Sequence, residues 1–213
     1  MKKKIWFSMV TVIVVGVLST ASRATIILDP LAQQTAPQNT FAHFNTTHWV
    51  GQYITTANPY IASVDVRIFN GVIDDTTTLK IYGSDAVDGD PGTATLTLLG
   101  SKTTVFTSND NTISSRYDFE DVGGVDVSAY QVGRIFLEFS VSAVVGGSGE
   151  LGAVAPGPYA GAYWVTTDSG GSWTPQNVDL GFSVRSSDTV IPEPATLGLL
   201  ALGGLVLLRA RKR

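Results

Sequence analysis

Apolar residues at every second position constrain this chain more than any other feature. Val64, Val66 and Ile68 alternate with Asp65 and Arg67, and Leu79 and Ile81 alternate with Lys80 and Tyr82. Ile135, Leu137, Phe139 and Val141 alternate with Phe136, Glu138, Ser140 and Ser142, and Val178, Leu180, Phe182 and Val184 alternate with Asp179, Gly181, Ser183 and Arg185. A period of two is the spacing of a strand that buries one face and wets the other. Between the runs lie Asn70-Gly71, Gly83-Ser84-Asp85, Asp88-Gly89-Asp90-Pro91-Gly92, Gly123-Gly124, Gly146-Gly147-Ser148-Gly149 and Pro156-Gly157-Pro158. Those residues supply positive φ or pre-set turns. Thr and Val, which suit pleated half-buried positions, are abundant. The expected fold is all-β: an antiparallel β-sandwich, jelly-roll-like, of about eight to ten strands in two sheets.

The two ends of the chain follow different rules. Lys2-Lys3-Lys4, the apolar run Ile5 to Leu18 and the small residues of Ser22-Arg23-Ala24 form the three parts of a secretory signal peptide. Residues 1–24 are therefore expected to be a signal helix removed by signal peptidase after Ala24, with Ala21 as the second choice. At the other end, Pro192-Glu193-Pro194 precedes an apolar run from Leu197 to Leu208, and then Arg209, Arg211, Lys212 and Arg213. The prolines keep their segment extended. The apolar run is shorter than the ~20 residues that cross a full hydrocarbon core. The basic end would nevertheless hold it in the inner membrane by the positive-inside rule, as a C-terminal transmembrane helix.

This three-part tail resembles the PEP-CTERM sorting signal, with Pro192, Glu193 and Pro194 at its motif position. The resemblance implies a Gram-negative-type envelope and an exosortase-type processing enzyme. It also implies a transient inner-membrane anchor, removal of the helix near the motif, and release to the cell surface or an extracellular polysaccharide matrix. The alternative is an ordinary C-terminal anchor that nothing processes. The organisation expected is thus a signal peptide at 1–24, a β-sandwich domain at 25–190 and a sorting signal at 191–213.

Charge narrows the partners of the central domain. Between residues 25 and 190 lie six basic residues (Arg67, Lys80, Lys102, Arg116, Arg134, Arg185) and 17 acidic ones, a net charge of −11 against −4 for the whole chain. Such a surface repels phosphates, so nucleic acid is not expected as a partner. The chain has no cysteine, which removes thiol catalysis and Cys-based metal sites and implies a core stable without disulfides.

Four constellations could carry chemistry. His43 and His48 are the only histidines; five apart and without nearby acids, they fall short of the three or four ligands of a zinc site. Asp85, Asp88 and Asp90 sit on one glycine-rich turn and offer oxygen ligands of the kind Ca²⁺ takes, although Asp side chains also cap their own turns. Thr166-Thr167-Asp168-Ser169-Gly170-Gly171-Ser172-Trp173 resembles the Asp-box, a structural turn. That resemblance implies that Asp168 ties the backbone, Gly170 relieves it sterically and Trp173 packs beneath the hairpin. Finally, Trp49, Tyr53, Tyr60, Tyr159, Tyr163, Trp164 and Trp173 offer faces for sugar rings. Tyr159 and Trp164, flanked by glycine and proline, are the expected carbohydrate contacts if the aromatics that do not fill the core form a site.

Hydrolytic signals are weaker. With so many acids, some carboxylate pair is always available, so pairing alone discriminates nothing. There is no Gly-x-Ser-x-Gly elbow. A second similarity covers most of the body: Phe44 through Ile54, Tyr60-Ile61-Ala62-Ser63-Val64-Asp65-Val66, Leu79-Lys80-Ile81-Tyr82, Asp90-Pro91-Gly92, Tyr163-Trp164-Val165 and Gly170-Gly171-Ser172-Trp173. Their order is similar to that of the choice-of-anchor R type of β-sandwich, which implies surface display and no established activity. The chain is therefore expected to be an exported, non-enzymatic protein, structural or adhesive in biofilm or exopolysaccharide, with no required cofactor. A carbohydrate-binding module is the first alternative and a secreted hydrolase the second.

Overall fold

The computed structural model describes residues 24–33, 40–69, 76–105, 113–143, 149–154 and 163–192. The signal segment before Ala24, Tyr159, and the tail from Glu193 onward, with its Pro194 and apolar run, lie outside the described residues. Among the described residues no helix is long and apolar enough to cross a membrane.

The described chain is all-β, and every strand pairing is antiparallel. In chain order the strands are β1 (Ile27–Gln33), β2 (Thr40–Phe44), β3 (Trp49–Ile54), β4 (Tyr60–Phe69), β5 (Thr76–Ser84), β6 (Leu96–Val105) and β7 (Ile113–Asp118). A short 3-10 turn at Glu120–Val122 follows, then β8 (Val125–Asp126), β9 (Ile135–Ala143), β10 (Gly149–Val154), β11 (Tyr163–Thr166), β12 (Thr174–Gln176), β13 (Asp179–Leu180) and β14 (Phe182–Ser187). One sheet runs β1-β14-β4-β10-β13, with β2 on β10 and both β7 and β8 on β4. The other runs β12-β11-β3-β9-β5-β6.

The core between the sheets is built by the alternation. Val50 and Ile54 of β3, Leu79 and Ile81 of β5, and Ile135, Leu137, Phe139 and Val141 of β9 pack with Val64, Val66, Tyr117, Phe182 and Val184 of the facing sheet. Burial alternates residue by residue along the first eight positions of β5, as one-sided strands require.

Two polar links cross this core. Tyr117 Oη donates to Thr77 Oγ1 at 2.8 Å, and complete burial raises the phenol well above its usual titration range. Gln52 Nε2 donates to Asp179 Oδ1 at 2.8 Å, while Gln52 Oε1 accepts the N–H of Leu180 at 2.6 Å. Both links join a strand of one sheet to a strand of the other. Buried polar groups are tolerated in a core when they are bonded in this way.

The strands are more finely divided than about eight to ten. The run Val178–Val184 is not one strand: Leu180 pairs with Ala153 of β10, whereas Phe182 pairs with Val66 of β4. The chain changes partner at Gly181, where period two alone shows no break. Phe44 to Ile54 is likewise interrupted by a turn in which Asn45 Oδ1 accepts the N–H groups of Thr47 (2.9 Å) and His48 (2.8 Å).

Candidate functional site

The outer face of the six-stranded sheet carries a second group of aromatics. On β3 the residues between the core positions are Trp49, Gly51 and Tyr53; on β9 they are Phe136, Glu138 and Ser140. Register then aligns Trp164 of β11, Gly51, Glu138, Lys80 of β5 and Ser101 of β6 in one row. Tyr53, Phe136 and Tyr82 align in the next. Tyr53, Phe136 and Trp173 are buried together, with Trp49, Tyr82, Leu96 and Trp164 packed against them.

Gly51 makes this arrangement possible. A Cβ at position 51 would lie 2.2 Å from Phe136 Cζ and 2.8 Å from the Leu137 carbonyl oxygen, so the Phe136 ring occupies space that any other residue would fill. Phe136 then meets Tyr53 with centroids 4.9 Å apart and Trp173 edge-on at 5.3 Å, both favourable aromatic geometries.

An ion pair lies amid the rings. Lys80 Nζ bonds Glu138 Oε1 at 2.8 Å, with side chains 28% and 5% exposed. The same ammonium stands 4.9 Å from the Trp49 ring centroid, a cation–π distance. Burial acts to lower the Lys80 pKa, but its hydrogen bond to Glu138 and the carboxylate charge outweigh that and leave it raised. Burial, with the Glu138 charge second, raises the Tyr82 phenol. Trp49, Tyr82 and Trp164 stay half-buried. Half-buried aromatic side chains beside a partly exposed ammonium are groups of the kind that contact a sugar ring and its hydroxyls.

The segment 166–173 closes one end of this face. Asp168 Oδ1 accepts the hydroxyl of Thr166 and the N–H of Ser172 at 2.8 Å, and Thr166 Oγ1 in turn accepts the N–H of Gly170 at 3.1 Å. Gly170 has φ +93°; a Cβ there would approach Trp49 Cζ3 to 3.0 Å. Trp173 is 9% exposed and packs on Phe136.

The Thr166 hydroxyl and then the Ser172 N–H hold the Asp168 carboxyl below its ordinary value of 3.8. A lowered carboxylate stabilises the fold fully above its unfolded value and loses that contribution as pH falls through the native one. Trp173 fluorescence is therefore expected to stay constant from about pH 7 to pH 5 and to change only below about pH 4. Asp168→Ala should give the acid-form signal at neutral pH; a flat profile in both proteins would show that the carboxylate does not hold the turn.

Two acids of the 85–90 turn bond backbone N–H groups. Asp85 Oδ1 accepts the Thr95 N–H at 2.9 Å, and Asp90 Oδ1 accepts the Gly92 N–H at 2.8 Å. Asp88, at φ +46°, lies instead against Gly133, where a Cβ would meet its carboxylate oxygens at 3.3 and 3.4 Å. Among the described residues no three His, Asp or Glu side chains converge as metal ligands. Asp85 and Asp90 thus each tie a backbone N–H, as Asp side chains do in turns. His48 Nδ1 lies 3.1 Å from Asn45 Oδ1 and is part of a turn.

Three features had no sequence signal of their own. Glu138 and Lys80 occupy ordinary polar phases of their strands, and only register joins them. Asp29 is fully buried and binds four different donors. Ile191, beside the Pro-Glu-Pro motif, is buried on the sandwich. A strand-pairing prediction would have found the first; the other two depend on long-range packing.

Residues 190–213 match the family model for the PEP-CTERM protein-sorting motif. No curated protein matches the chain. The motif marks an exported protein, sorted by an exosortase and anchored in the membrane through its C-terminus before processing.

Proposed function

Starting from a chain that carries the PEP-CTERM sorting motif, we propose that its sandwich is a structural or adhesive component of the cell surface or of a biofilm exopolysaccharide matrix. The protein acts there without catalysis, after signal peptidase and exosortase have removed its two ends. The observation that carries this reading is the direct junction between the sorting motif and the sandwich: β14 ends at Ser187 and the matched motif begins at residue 190. What is sorted is therefore the sandwich itself. The use of buried polar groups supports a scaffold rather than a hydrolase. Gln52 with Asp179 and Tyr117 with Thr77 tie the sheets, and Glu138 is held by Lys80.

A second reading, carbohydrate binding, is favoured by the outer face of the six-stranded sheet, where Trp49, Tyr82 and Trp164 surround the Lys80–Glu138 pair. One fractionation of the native host tests both. A mass corresponding to residues from about Thr25 to the Pro-Glu-Pro region, found outside the inner membrane, is the expected result. A membrane-bound species retaining Arg213 would overturn it. If the released form sediments with the host polysaccharide and Trp164→Ala abolishes that, the second reading holds; retention unaffected by Trp164→Ala leaves the scaffold reading.

A further inference from the structure

The chain does not leave the sandwich when β14 ends. Ser187 Oγ donates to the Thr189 carbonyl at 2.8 Å and accepts the Thr189 N–H at 3.3 Å, which turns the segment while Asp188, Thr189 and Val190 stay exposed. Ile191 then returns to the domain. Its N–H donates to the Gly123 carbonyl at 3.3 Å, and it is 5% exposed.

The seat for Ile191 is the pair Gly123-Gly124 after the 3-10 turn, with φ of +82° and +81°. Glycine is the residue that adopts this conformation without steric cost. A Cβ on Gly124 would lie 3.0 Å from Ile191 Cδ1 and 3.2 Å from the Ile61 carbonyl oxygen. The hollow thus exists because residue 124 has no side chain. Pro192 is half-buried, so no spacer separates the docked isoleucine from the Pro192-Glu193-Pro194 motif.

An enzyme that cuts near a motif needs extended, accessible backbone on both sides of the bond. Docked, hydrogen-bonded chain is cut through its locally opened state. We propose that Ile191 is a positioning residue that latches the start of the sorting motif onto the Gly123-Gly124 seat, so that processing proceeds through a minor state in which residues 188–192 have undocked. The inference rests on the sorting reading and adds the element that controls its rate. Burying one isoleucine side chain favours the docked state by roughly ten- to a hundredfold. When opening and closing are fast relative to cutting, the processing rate follows the opened population.

The test follows the full chain in an exosortase-bearing host, by pulse-chase, from membrane-held precursor to the shorter released form. Ile191→Ser is expected to convert about tenfold or more faster than wild type, and Ile191→Val only about two- to fourfold faster. A spacer of about eight Gly/Ser residues between Ile191 and Pro192 frees the motif while keeping the latch. It should accelerate conversion with the thermal midpoint of the domain unchanged, a combination that a merely structural role for Ile191 does not produce. Wild-type conversion with both Ile191→Ser and the spacer variant at the wild-type rate would overturn the latch. If Ile191→Ser fails to fold, the spacer variant alone decides. Failure of wild type itself to convert would instead remove the sorting reading, and the latch with it.

Discussion

Replacing Asp29 with alanine is expected to destabilise the sandwich by about 3–5 kcal/mol, read as a lowered urea midpoint at unchanged slope. The side chain is fully buried and its two oxygens serve three parts of the fold. Oδ1 accepts the Leu31 N–H at 3.0 Å and the Ala57 N–H at 3.1 Å; Oδ2 accepts the Ala57 N–H at 3.0 Å, the Asn58 N–H at 3.4 Å and the Ser186 hydroxyl at 2.6 Å. Alanine would remove the acceptor of the buried Ser186 hydroxyl and of the part-buried Ala57 and Asn58 N–H groups, each costing up to about 1–3 kcal/mol before relaxation. Asp29→Asn keeps one acceptor oxygen and should recover about half of the loss. The carboxylate joins β1, the loop after β3 and the end of β14, so the variant should also weaken hydrogen-exchange protection in β1 before the rest of the sheet. A loss below about 1 kcal/mol would mean that these contacts add little to the folded state.

The second large effect lies on the opposite sheet. Gly51→Val is expected to cost about 3 kcal/mol, because its Cβ falls on the Phe136 ring and against the Leu137 carbonyl oxygen. Phe136→Ala alone should cost about 3–5 kcal/mol, since it empties a fully buried site between Tyr53 and Trp173. The two should not add. With the ring gone the valine has space, so the double variant is expected to be more stable than the sum of the single losses by about 1–3 kcal/mol. The remaining 2.8 Å approach to the carbonyl oxygen keeps the rescue partial. Urea unfolding of the four proteins checks this, and strict additivity would show that Phe136 does not occupy the space above Gly51. Because Trp164 pairs with Gly51 in register, Gly51→Val should also move the tryptophan emission.

Both positions illustrate where sequence reading ends. Alternation along Leu79–Ile81 and Ile135–Val141 announces which residues face the core, since side-chain direction in a strand depends on neighbouring residues alone. It does not announce which strands become neighbours. Glu138 pairs with Lys80 across 58 residues, Gln52 reaches Asp179 across 127, and Ser186 reaches Asp29 across 157. In the sequence Asp29 was merely an acid a few residues after the expected signal segment. Trp164 stood out among glycines and prolines, whereas Trp49 and Tyr82, which complete its face, did not. The three acids of the 85–92 turn looked alike, and only the fold sets Asp88 against Gly133 while Asp85 and Asp90 hold the N–H groups of Thr95 and Gly92.

By itself the sequence determined the all-β class, the turns at Asp88–Gly92 and Gly123-Gly124 (though not at Gly83-Ser84, which end strand β5), and the sorting motif at residues 190–213, because each is written in spacing and order along a continuous stretch. The tertiary structure alone decided the aromatic face with its ion pair, the Asp29 junction and the docking of Ile191 beside the motif. Each of those is a meeting of segments far apart in the chain, and their register comes from packing two whole sheets together rather than from any local preference.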